Sequence, residues 1–244
     1  MEFVVRYRSM NNYNDNYPRK VLITGASSGI GMEIAKILVK KGHSVFVTGR
    51  DNDKLNNFQG VKGSKAGDLT SSVFVSDLVG ECSSDLGGLD SVIHCAGMGL
   101  IKKIQDTTDQ EFVKITNTNL RATFLLAKET LDKMSEEGGG RFLFIPGILG
   151  KVPMAKASAY CASKFGAIGL LKSLDLEYRS KGIQFSFFYM GGVNTAFWDD
   201  LDMKVIPEKM IPVDHVASVV ASALLAPNHL VTSEITVQPQ SHQL

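Results

Sequence analysis

The stretch Thr24-Gly25-Ala26-Ser27-Ser28-Gly29-Ile30-Gly31 decides the fold, because it joins two segments of different periodicity. Before it, Val21-Leu22-Ile23 is a short apolar run that predicts a buried strand. After it, apolar and basic side chains separate onto two faces at helical spacing, which predicts a helix. Glycine permits backbone angles that other residues resist and lets the main chain approach a ligand. The pattern G-x-x-x-G-x-G between strand and helix therefore predicts a dinucleotide site, with the pyrophosphate at the helix N-terminus.

Strands and helices alternate along the rest of the chain. Further strands are predicted at 44–48, 89–94, 141–145, 183–189 and 233–237, and helices near 70–85, 109–134, 158–180 and 212–225. Thr108 and Glu111 have the spacing of a capping box at the start of one of these helices. Strict alternation predicts an α/β fold: one Rossmann-like, doubly wound parallel sheet with helices on both faces. Residues 18–244 are predicted to form this single domain, and the polar residues 1–17 a flexible extension.

Composition narrows the function classes. The chain has 244 residues and is 44% hydrophobic, which fits one large globular domain. A net charge of +1 predicts neither a nucleic-acid partner nor an anionic membrane partner. No run reaches about 18 consecutive apolar residues, so no membrane span is predicted. The three cysteines, Cys82, Cys95 and Cys161, are scattered and predict neither a disulfide framework nor a metal site. The predicted location is the cytoplasm.

The end of the second strand bears on which dinucleotide binds. An NAD site usually has a carboxylate there, which accepts a hydrogen bond from the ribose 2′-hydroxyl. This strand instead ends Thr48-Gly49-Arg50, and a guanidinium can bind a 2′-phosphate with two hydrogen bonds. Asp51, one residue later, weakens this argument, and a solvated surface arginine is the alternative. The prediction is NADP, or NADPH in its reduced form, over NAD.

Tyr160 and Lys164 lie four residues apart, on one face of the predicted helix 158–180. A tyrosine hydroxyl has an ordinary pKa of about 10 and is a poor acid–base group at neutral pH. A nearby ammonium favours the phenolate and is predicted to lower this pKa toward the working range. Such a pair also occurs by chance on long helices, but its combination with the nucleotide turn favours an acid–base role.

Together these features resemble the short-chain dehydrogenase/reductase family, of the compact single-domain type, over about residues 20–237. Further matches are Gly67-Asp68-Leu69 at the family's third strand, His94-Cys95-Ala96-Gly97 at its Asn-Asn-Ala-Gly, and Met190-Gly191 at its Pro-Gly segment. The resemblance implies catalytic roles for Asn119, Tyr160 and Lys164. It implies cofactor contacts from Gly25, Ser27, Ser28, Gly29, Ile30, Gly31, Arg50, Asp68, Leu69, Ala96, Gly97, Asn119, Tyr160, Lys164, Gly191, Val193 and Thr195.

The sequence also departs from the family pattern. Gly147 stands thirteen residues before Tyr160, where the family has a catalytic serine that donates a hydrogen bond to the reacting carbonyl. Losing such a donor typically costs about 2.7–4 kcal/mol. Ser158 is a possible substitute, although helical spacing points it away from the side of Tyr160. Met190 replaces the family's proline, and His94 replaces its first asparagine. His94 is interpreted as a hydrogen-bonded structural histidine rather than a catalytic base.

Two functions remain open. The first is an NADP-dependent oxidoreductase that reduces a ketone or aldehyde, or oxidises the matching alcohol. The resemblance then implies that Tyr160 is the acid/base, that Lys164 holds the nicotinamide ribose, and that Asn119 anchors a water. The second is a cofactor-binding protein with weak or no redox activity, serving sensing, a scaffold role or a non-redox reaction. Gly147 favours this second function, and the three retained catalytic positions favour the first.

The substrate and the assembly are predicted more coarsely. The segment 195–212 would form a lid over the reacting centre, and it supplies Phe197, Trp198, Leu201, Met203, Val205, Ile206 and Met210. These side chains predict an apolar or aromatic carbonyl or alcohol substrate, unless they are core and oligomer contacts instead. Small residues along helix 158–180, together with the family's habit of pairing through this helix, predict a homodimer or homotetramer.

Overall fold

The computed structural model describes residues 18–201 and 203–241, and within them seven strands form one sheet. Every adjacent pair is parallel, and the strand order is β3-β2-β1-β4-β5-β6-β7. The strands are β1 (Lys20–Thr24), β2 (Ser44–Gly49), β3 (Gly63–Ala66), β4 (Ser91–His94), β5 (Gly140–Phe144), β6 (Ile183–Met190) and β7 (Glu234–Val237). The doubly wound parallel sheet predicted from the sequence is confirmed. The predicted extension at 1–17 lies outside the described residues.

Helices cover both faces of the sheet. They are α1 (Gly29–Lys40), α2 (Asn52–Asn56), α3 (Ser72–Leu86), α4 (Asp109–Thr116), α5 (Ala122–Glu136), α6 (Ser158–Tyr178) and α7 (Val213–Leu224). Alternate residues of β1 serve different faces, as the pleat of a strand requires. Val21 and Ile23 pack with the cluster of α1 and α7, whereas Leu22 packs with the cluster of α3, α5 and α6. Both clusters are apolar, which is the pattern of a buried parallel sheet.

The predicted helix 109–134 is interrupted. Its start is as predicted, because Thr108 and Glu111 bond to each other's backbone amides in a capping box. After α4, however, Asn117–Arg121 forms a π-helical turn before α5 begins. A π turn accommodates an extra residue in a helix and is frequent at functional sites. This turn carries Asn119.

The strand order reverses at β1, since β2 lies on one side of it and β4 on the other. In open α/β sheets ligands bind at the carboxyl ends of the strands, beside such a switch point. The glycine turn follows β1 at this edge, and the loop beginning at Cys95 follows β4. No helix in the described ranges is long and apolar enough to cross a bilayer.

Candidate active site

The glycine turn after β1 has the geometry of a phosphate cradle. Gly25 has φ +66°, and a Cβ atom there would lie 2.8 Å from the backbone nitrogen of Ala96. Gly29 has φ +55° and begins α1. Among the described residues, the N-cap Ser28 forms no side-chain bond to the first amides of this helix. Amides without a capping side chain, at the positive end of a helix dipole, suit a bound anion.

The edge of the cradle at β2 carries Arg50. Arg50 is exposed and forms no hydrogen bond or ion pair with any residue that the structure describes. A Cβ atom at Gly49 would lie 2.8 Å from Oγ of Ser27, so no side chain fits there without a shift. The carboxylate of Asp51 accepts from the Lys54 amide at 3.1 Å and pairs with the Lys54 ammonium at 3.1 Å. Arg50 is therefore the side chain at this edge that can meet an added anion.

The other predicted cofactor residues lie along the same edge. Asp68 and Leu69 follow β3, and the exposed Asp68 carboxylate accepts from the Thr70 amide at 2.9 Å. Ile30 is half-buried in the first turn of α1. The remaining residues follow β4 or β6: Ala96, Gly97, Gly191, Val193 and Thr195. A Cβ atom at Gly29 would lie 3.3 Å from Cγ2 of Thr195, so the segment after β6 touches the glycine turn.

Asn119, Tyr160 and Lys164 are all buried close to the loop after β4. The Asn119 amide donates from Nδ2 to the Met98 carbonyl at 2.9 Å, and its Oδ1 accepts from the Met98 amide at 2.9 Å. A Cβ atom at Gly97 would lie 2.7 Å from Nζ of Lys164 and 3.1 Å from Oδ1 of Asn119. The structure thus brings Asn119 and Lys164 together against Gly97, where a larger side chain would collide with both.

Burial sets the protonation of the Tyr160–Lys164 pair. Nζ of Lys164 lies 5.9 Å from the centre of the Tyr160 ring. Burial lowers the pKa of Lys164 to about 8, and burial raises the pKa of Tyr160 above its ordinary value. The predicted lowering of the phenol pKa by Lys164 is therefore wrong for this structure. Burial disfavours the charged phenolate, and this cost decides the direction of the shift. Tyr160 keeps its proton at neutral pH.

Gly147 faces the phenol. It follows β5 in the segment Ile145-Pro146-Gly147, and a Cβ atom there would lie 3.7 Å from Oη of Tyr160. It would also lie 3.8 Å from the carbonyl oxygen of Met190, so this position has room for a small side chain. Ser158 is exposed at the start of α6, in keeping with the predicted direction of its side chain. Neither residue brings a hydroxyl to Tyr160 from the position of the family serine.

An aromatic turn covers Tyr160 from the segment after β6. Ala196–Trp198 is a 3-10 turn, and the Phe197 ring lies 6.5 Å from the Tyr160 ring. Phe197 and Trp198 meet edge to face at 5.5 Å, and the Trp198 indole donates to the Val193 carbonyl at 2.8 Å. Cζ of Phe197 lies 2.8 Å from the position of a Cβ atom at Gly99. We call Ala196–Trp198 the aromatic turn; it lies where the sequence predicted a lid.

Several buried hydroxyls of the site had no sequence motif to reveal them. Ser163 receives a hydrogen bond from Asn119 Nδ2 at 2.9 Å and donates to the Tyr160 carbonyl at 2.7 Å. Thr24 and Thr123 contact the two ring nitrogens of His94 at 2.7 Å and 2.9 Å. His94 is a hydrogen-bonded buried histidine, as interpreted from the sequence. Only the helical spacing of Tyr160, Ser163 and Lys164 was available as a signal, and serine in a helix is too common to single out.

Known proteins resemble this chain in sequence and structure. A family model described as short chain dehydrogenase matches residues 19–205. A Staphylococcus aureus (strain MRSA252) protein described as an uncharacterized oxidoreductase is 32% identical over 226 residues, covering 89% of this chain and 96% of that protein. A variant of actinorhodin polyketide ketoreductase, solved with NADPH, has 27% identity and a TM-score of 0.81, covering 93% of this chain and 97% of its own. An alcohol dehydrogenase from the archaeon Thermococcus sibiricus, complexed with 5-hydroxy-NADP, has 23% identity and a TM-score of 0.86, covering 93% and 99% of the two chains, and shows the fold alone.

Proposed function

The chain belongs to the short-chain dehydrogenase family, and from this premise we propose that it is an NADPH-dependent reductase of ketones or aldehydes. Membership makes it an oxidoreductase of this type, and a nicotinamide cofactor is in keeping with the family. The observation that carries the proposal is the buried group of Asn119, Tyr160 and Lys164 beside the glycine turn. A pure nucleotide-binding protein has no need of a buried acid next to a buried amine.

The residues present fit a dinucleotide. Gly25 lets the turn pack closely on the backbone at Ala96, and the uncapped start of α1 leaves amides that would bind a pyrophosphate. Lys164 is buried against Gly97, which has no side chain to separate the ammonium from a bound cofactor, so Nζ would bind the nicotinamide ribose hydroxyls. Val193, Gly191 and Thr195 would lie toward the nicotinamide end, and Asp68 and Leu69 toward the adenine end. When bound, the reduced cofactor supplies a hydride to the carbonyl carbon.

Tyr160 would give the proton that the reaction needs. Its pKa is raised by burial, so the phenol holds its proton at neutral pH and is able to donate it to the carbonyl oxygen. The products are then an alcohol and the oxidised cofactor. Lys164, with its pKa lowered to about 8, is still mainly cationic at pH 7 and would stabilise the tyrosinate left behind. Asn119 would anchor the water that returns a proton to Tyr160, and the reverse reaction would use the same residues.

NADP is proposed over NAD because of Arg50. Its side chain is exposed at the end of β2, and the neighbouring carboxylate of Asp51 is bonded to Lys54. A guanidinium in this position would bind a 2′-phosphate with paired hydrogen bonds. The ketoreductase that this chain resembles at 27% identity was solved with NADPH, which supports both the cofactor and the reduction of a carbonyl.

The proposed substrate is apolar or aromatic. Phe197 stands over Tyr160 and Trp198 stands beside Phe197, so a carbonyl compound would meet aromatic faces on its way to the phenol.

We also propose a homodimer or homotetramer in the cytoplasm, with neither a nucleic-acid nor a membrane partner. Exposed apolar side chains on α4 to α6 support the assembly: Phe112, Val113, Phe124, Phe165 and Leu176.

The second candidate function is a cofactor-binding protein with weak or no redox activity. Gly147 favours it, because the side chain that would hold the carbonyl oxygen beside Tyr160 is missing. Under this alternative, nucleotide occupancy would serve sensing, a scaffold role or a non-redox reaction. It predicts NADPH binding without turnover.

A screen of carbonyl compounds separates the two functions. Loss of NADPH absorbance is followed with aromatic ketones, aliphatic ketones and aldehydes, and the alcohol product is identified. We expect turnover that is fastest with the aromatic ketones and that disappears in Tyr160→Phe. NADPH binding by fluorescence titration, without turnover of any compound in either direction, would favour the second candidate.

A further inference from the structure

A buried histidine joins the two sides of the candidate site. His94 ends β4 with no exposed surface, and its ring stacks on Phe144 at a centroid distance of 5.3 Å. Nδ1 lies 2.7 Å from Oγ1 of Thr24, and Nε2 lies 2.9 Å from Oγ1 of Thr123. Thr24 is the last residue of β1, directly before the glycine turn. Thr123 lies in the first turn of α5, directly after the π turn that holds Asn119.

Counting donors fixes the direction of these hydrogen bonds. The Thr123 hydroxyl donates to the Asn119 carbonyl at 2.7 Å, and a carbonyl has no hydrogen to return. The one hydroxyl hydrogen of Thr123 is thus in use, so Thr123 accepts from His94, and Nε2 carries the ring proton. Burial lowers the pKa of His94 to about 3, which leaves the ring neutral and Nδ1 without hydrogen. Thr24 then donates to Nδ1.

Both ends of this chain of bonds hold the loop after β4. At one end, Oγ1 of Thr24 accepts from the Ala96 amide at 3.3 Å. At the other end, the side chain of Asn119 binds both backbone groups of Met98 at 2.9 Å. Between them lies Gly97, where a Cβ atom would lie 2.7 Å from Nζ of Lys164. We call this series, Ala96–Thr24–His94–Thr123–Asn119, the histidine chain.

The histidine chain continues to the helix of the proposed acid. Nδ2 of Asn119 donates to Oγ of Ser163 at 2.9 Å, and Ser163 donates to the Tyr160 carbonyl at 2.7 Å. The glycine turn, the loop after β4, the π turn and α6 are therefore tied by one set of buried and partly buried hydrogen bonds. Networks of this kind fix the rotamers of the groups they join, because each hydrogen bond constrains the side chains at both of its ends.

We propose that His94 is a positioning residue for the reaction given above, holding the Asn119 carbonyl and the 96–98 loop in a fixed direction relative to Lys164. This inference rests on the proposed function. A ring that stays neutral and enclosed does not exchange protons with substrate, so its effect passes through Thr24 and Thr123. A misplacement of about 1 Å in such a support costs up to about 100-fold in rate.

Thr123→Val tests the proposal against a matched control on the same helix. Thr130 is also fully buried, and its hydroxyl donates to the Leu126 carbonyl at 2.8 Å, as that of Thr123 does to Asn119. Only Thr123 also binds His94. We expect Thr123→Val to lower kcat about tenfold to 100-fold and Thr130→Val to leave kcat within about twofold. Equal losses of kcat in the two variants, or a fall in Tm alone, would overturn the proposal.

Substitution of the histidine distinguishes its two bonds. An asparagine amide reaches the place of Nδ1, whereas a glutamine amide reaches that of Nε2. His94→Gln is therefore expected to keep the bond to Thr123 and more of the kcat, and His94→Asn to keep the bond to Thr24 but lose the bond to Thr123. The double variant His94→Asn/Thr123→Val should lose no more than the worse single variant, because both remove the same bond. Additive losses, or a faster His94→Asn than His94→Gln, contradict this arrangement.

A measurement without turnover tests the histidine chain separately. Nitrogen-15 NMR of the imidazoles, with the His94 signal identified by its loss in His94→Gln, reports which ring nitrogen carries the proton. We expect Nε2 to carry it from about pH 5 to about pH 9. A proton on Nδ1, or titration near the ordinary pKa of about 6.5, would refute the arrangement.

If the wild type binds NADPH but reduces no carbonyl compound, the proposed function fails, and NADPH affinity then tests the inference. A weaker affinity in Thr123→Val than in Thr130→Val would support the inference, and equal affinities would overturn it.

Discussion

A Cβ atom at Gly147 would lie 3.7 Å from the hydroxyl oxygen of Tyr160, so there is space for a side chain beside the phenol. The backbone conformation at Gly147, however, does not favour any side chain there. Gly147 has φ 79° and ψ 169°, a region that is essentially restricted to glycine and costs other residues about 1–3 kcal/mol. A serine in place of Gly147 would therefore need a backbone conformation that this loop does not have.

This relationship predicts opposite effects of Gly147→Ser on stability and on chemistry. We expect Gly147→Ser and Gly147→Ala to lower the free energy of unfolding alike, by about 1–3 kcal/mol, since both meet the same backbone strain. The serine variant should turn over at least about tenfold faster than the alanine variant, because one hydrogen-bond donor to the carbonyl oxygen is worth about 100-fold to 1,000-fold. Denaturant unfolding and kcat measure the two effects. Equal kcat values would mean that the hydroxyl does not reach the substrate.

Removing the phenol hydroxyl should abolish reduction without releasing the cofactor. In Tyr160→Phe the proton donor is lost, while the glycine turn, Arg50 and Lys164 remain. We expect kcat to fall by at least about 1,000-fold, at the scale of general acid catalysis, with the Kd for NADPH within about twofold of the wild type. Tyr178→Phe is the control, because Tyr178 lies on the same helix as Tyr160. It removes a surface hydroxyl that donates to the Asp132 carboxylate at 2.9 Å, and it should leave kcat unchanged.

The buried Lys164 should cost stability in a way that depends on pH. Burial lowers its pKa from an ordinary value of 10.5 to about 8 in the folded protein. Below pH 8 both states are protonated, so the full cost of burying the ammonium, about 3 kcal/mol, is present. As the pH rises from 8 to 10.5 the folded state loses its proton first and the cost disappears. Lys164→Met should therefore be more stable than the wild type at pH 7, and no longer so by this mechanism above pH 10.5.

This prediction is tested by measuring the Tm of Lys164→Met and of the wild type at several pH values. Lys172→Met is the control, because Lys172 lies on the same helix, is half exposed, and pairs with Glu234 at 2.7 Å. We expect no stabilisation from Lys172→Met at any pH. Lys164→Met should also lose turnover, so the gain in Tm and the loss of kcat come together. A lower Tm than the wild type at pH 7 would contradict the assigned cost of the buried charge.

Arg50 should set the preference between the two nicotinamide cofactors. We expect the wild type to bind NADPH about tenfold or more tightly than NADH, and Arg50→Ala to bind both about equally, since a charged hydrogen-bonded pair is worth about 1.5–3 kcal/mol. Lys62→Ala removes the same charge from an exposed position just before β3, at the amino ends of the strands rather than the carboxyl ends, and should keep the preference. Equal affinities in the wild type would remove the argument from Arg50.

Hydrophobic periodicity and the glycine turn were enough to predict the parallel sheet, because burial on both faces leaves a clear pattern in the sequence. β3 was not among the strands predicted along the chain, since Gly63-Ser64-Lys65-Ala66 has no apolar run and lies half-buried at the edge of the sheet. The π turn at Asn117–Arg121 was missed as well, because one extra residue in a helix hardly changes the pattern of apolar positions.

The site was predictable where residues are close in sequence and less so where the fold brings them together. The four-residue spacing of Tyr160 and Lys164 put both on one face of α6, as expected. The pKa of the phenol was predicted in the wrong direction, because spacing does not report how deeply a pair is buried. The contacts of His94 with Thr24 and Thr123 join residues 70 and 29 positions apart, which only the three-dimensional structure reveals.

The aromatic turn has a consequence for how this enzyme could be altered. Its three residues Ala196–Trp198 carry the ring that stands over Tyr160, yet they belong to neither the sheet nor a long helix. Changing Phe197 would reshape the entrance while leaving the proton donor and the nucleotide cradle as they are. Under the proposed function, selectivity and chemistry would be encoded in separate parts of the chain, and a laboratory evolution experiment directed at this turn alone would be expected to broaden the range of ketones accepted.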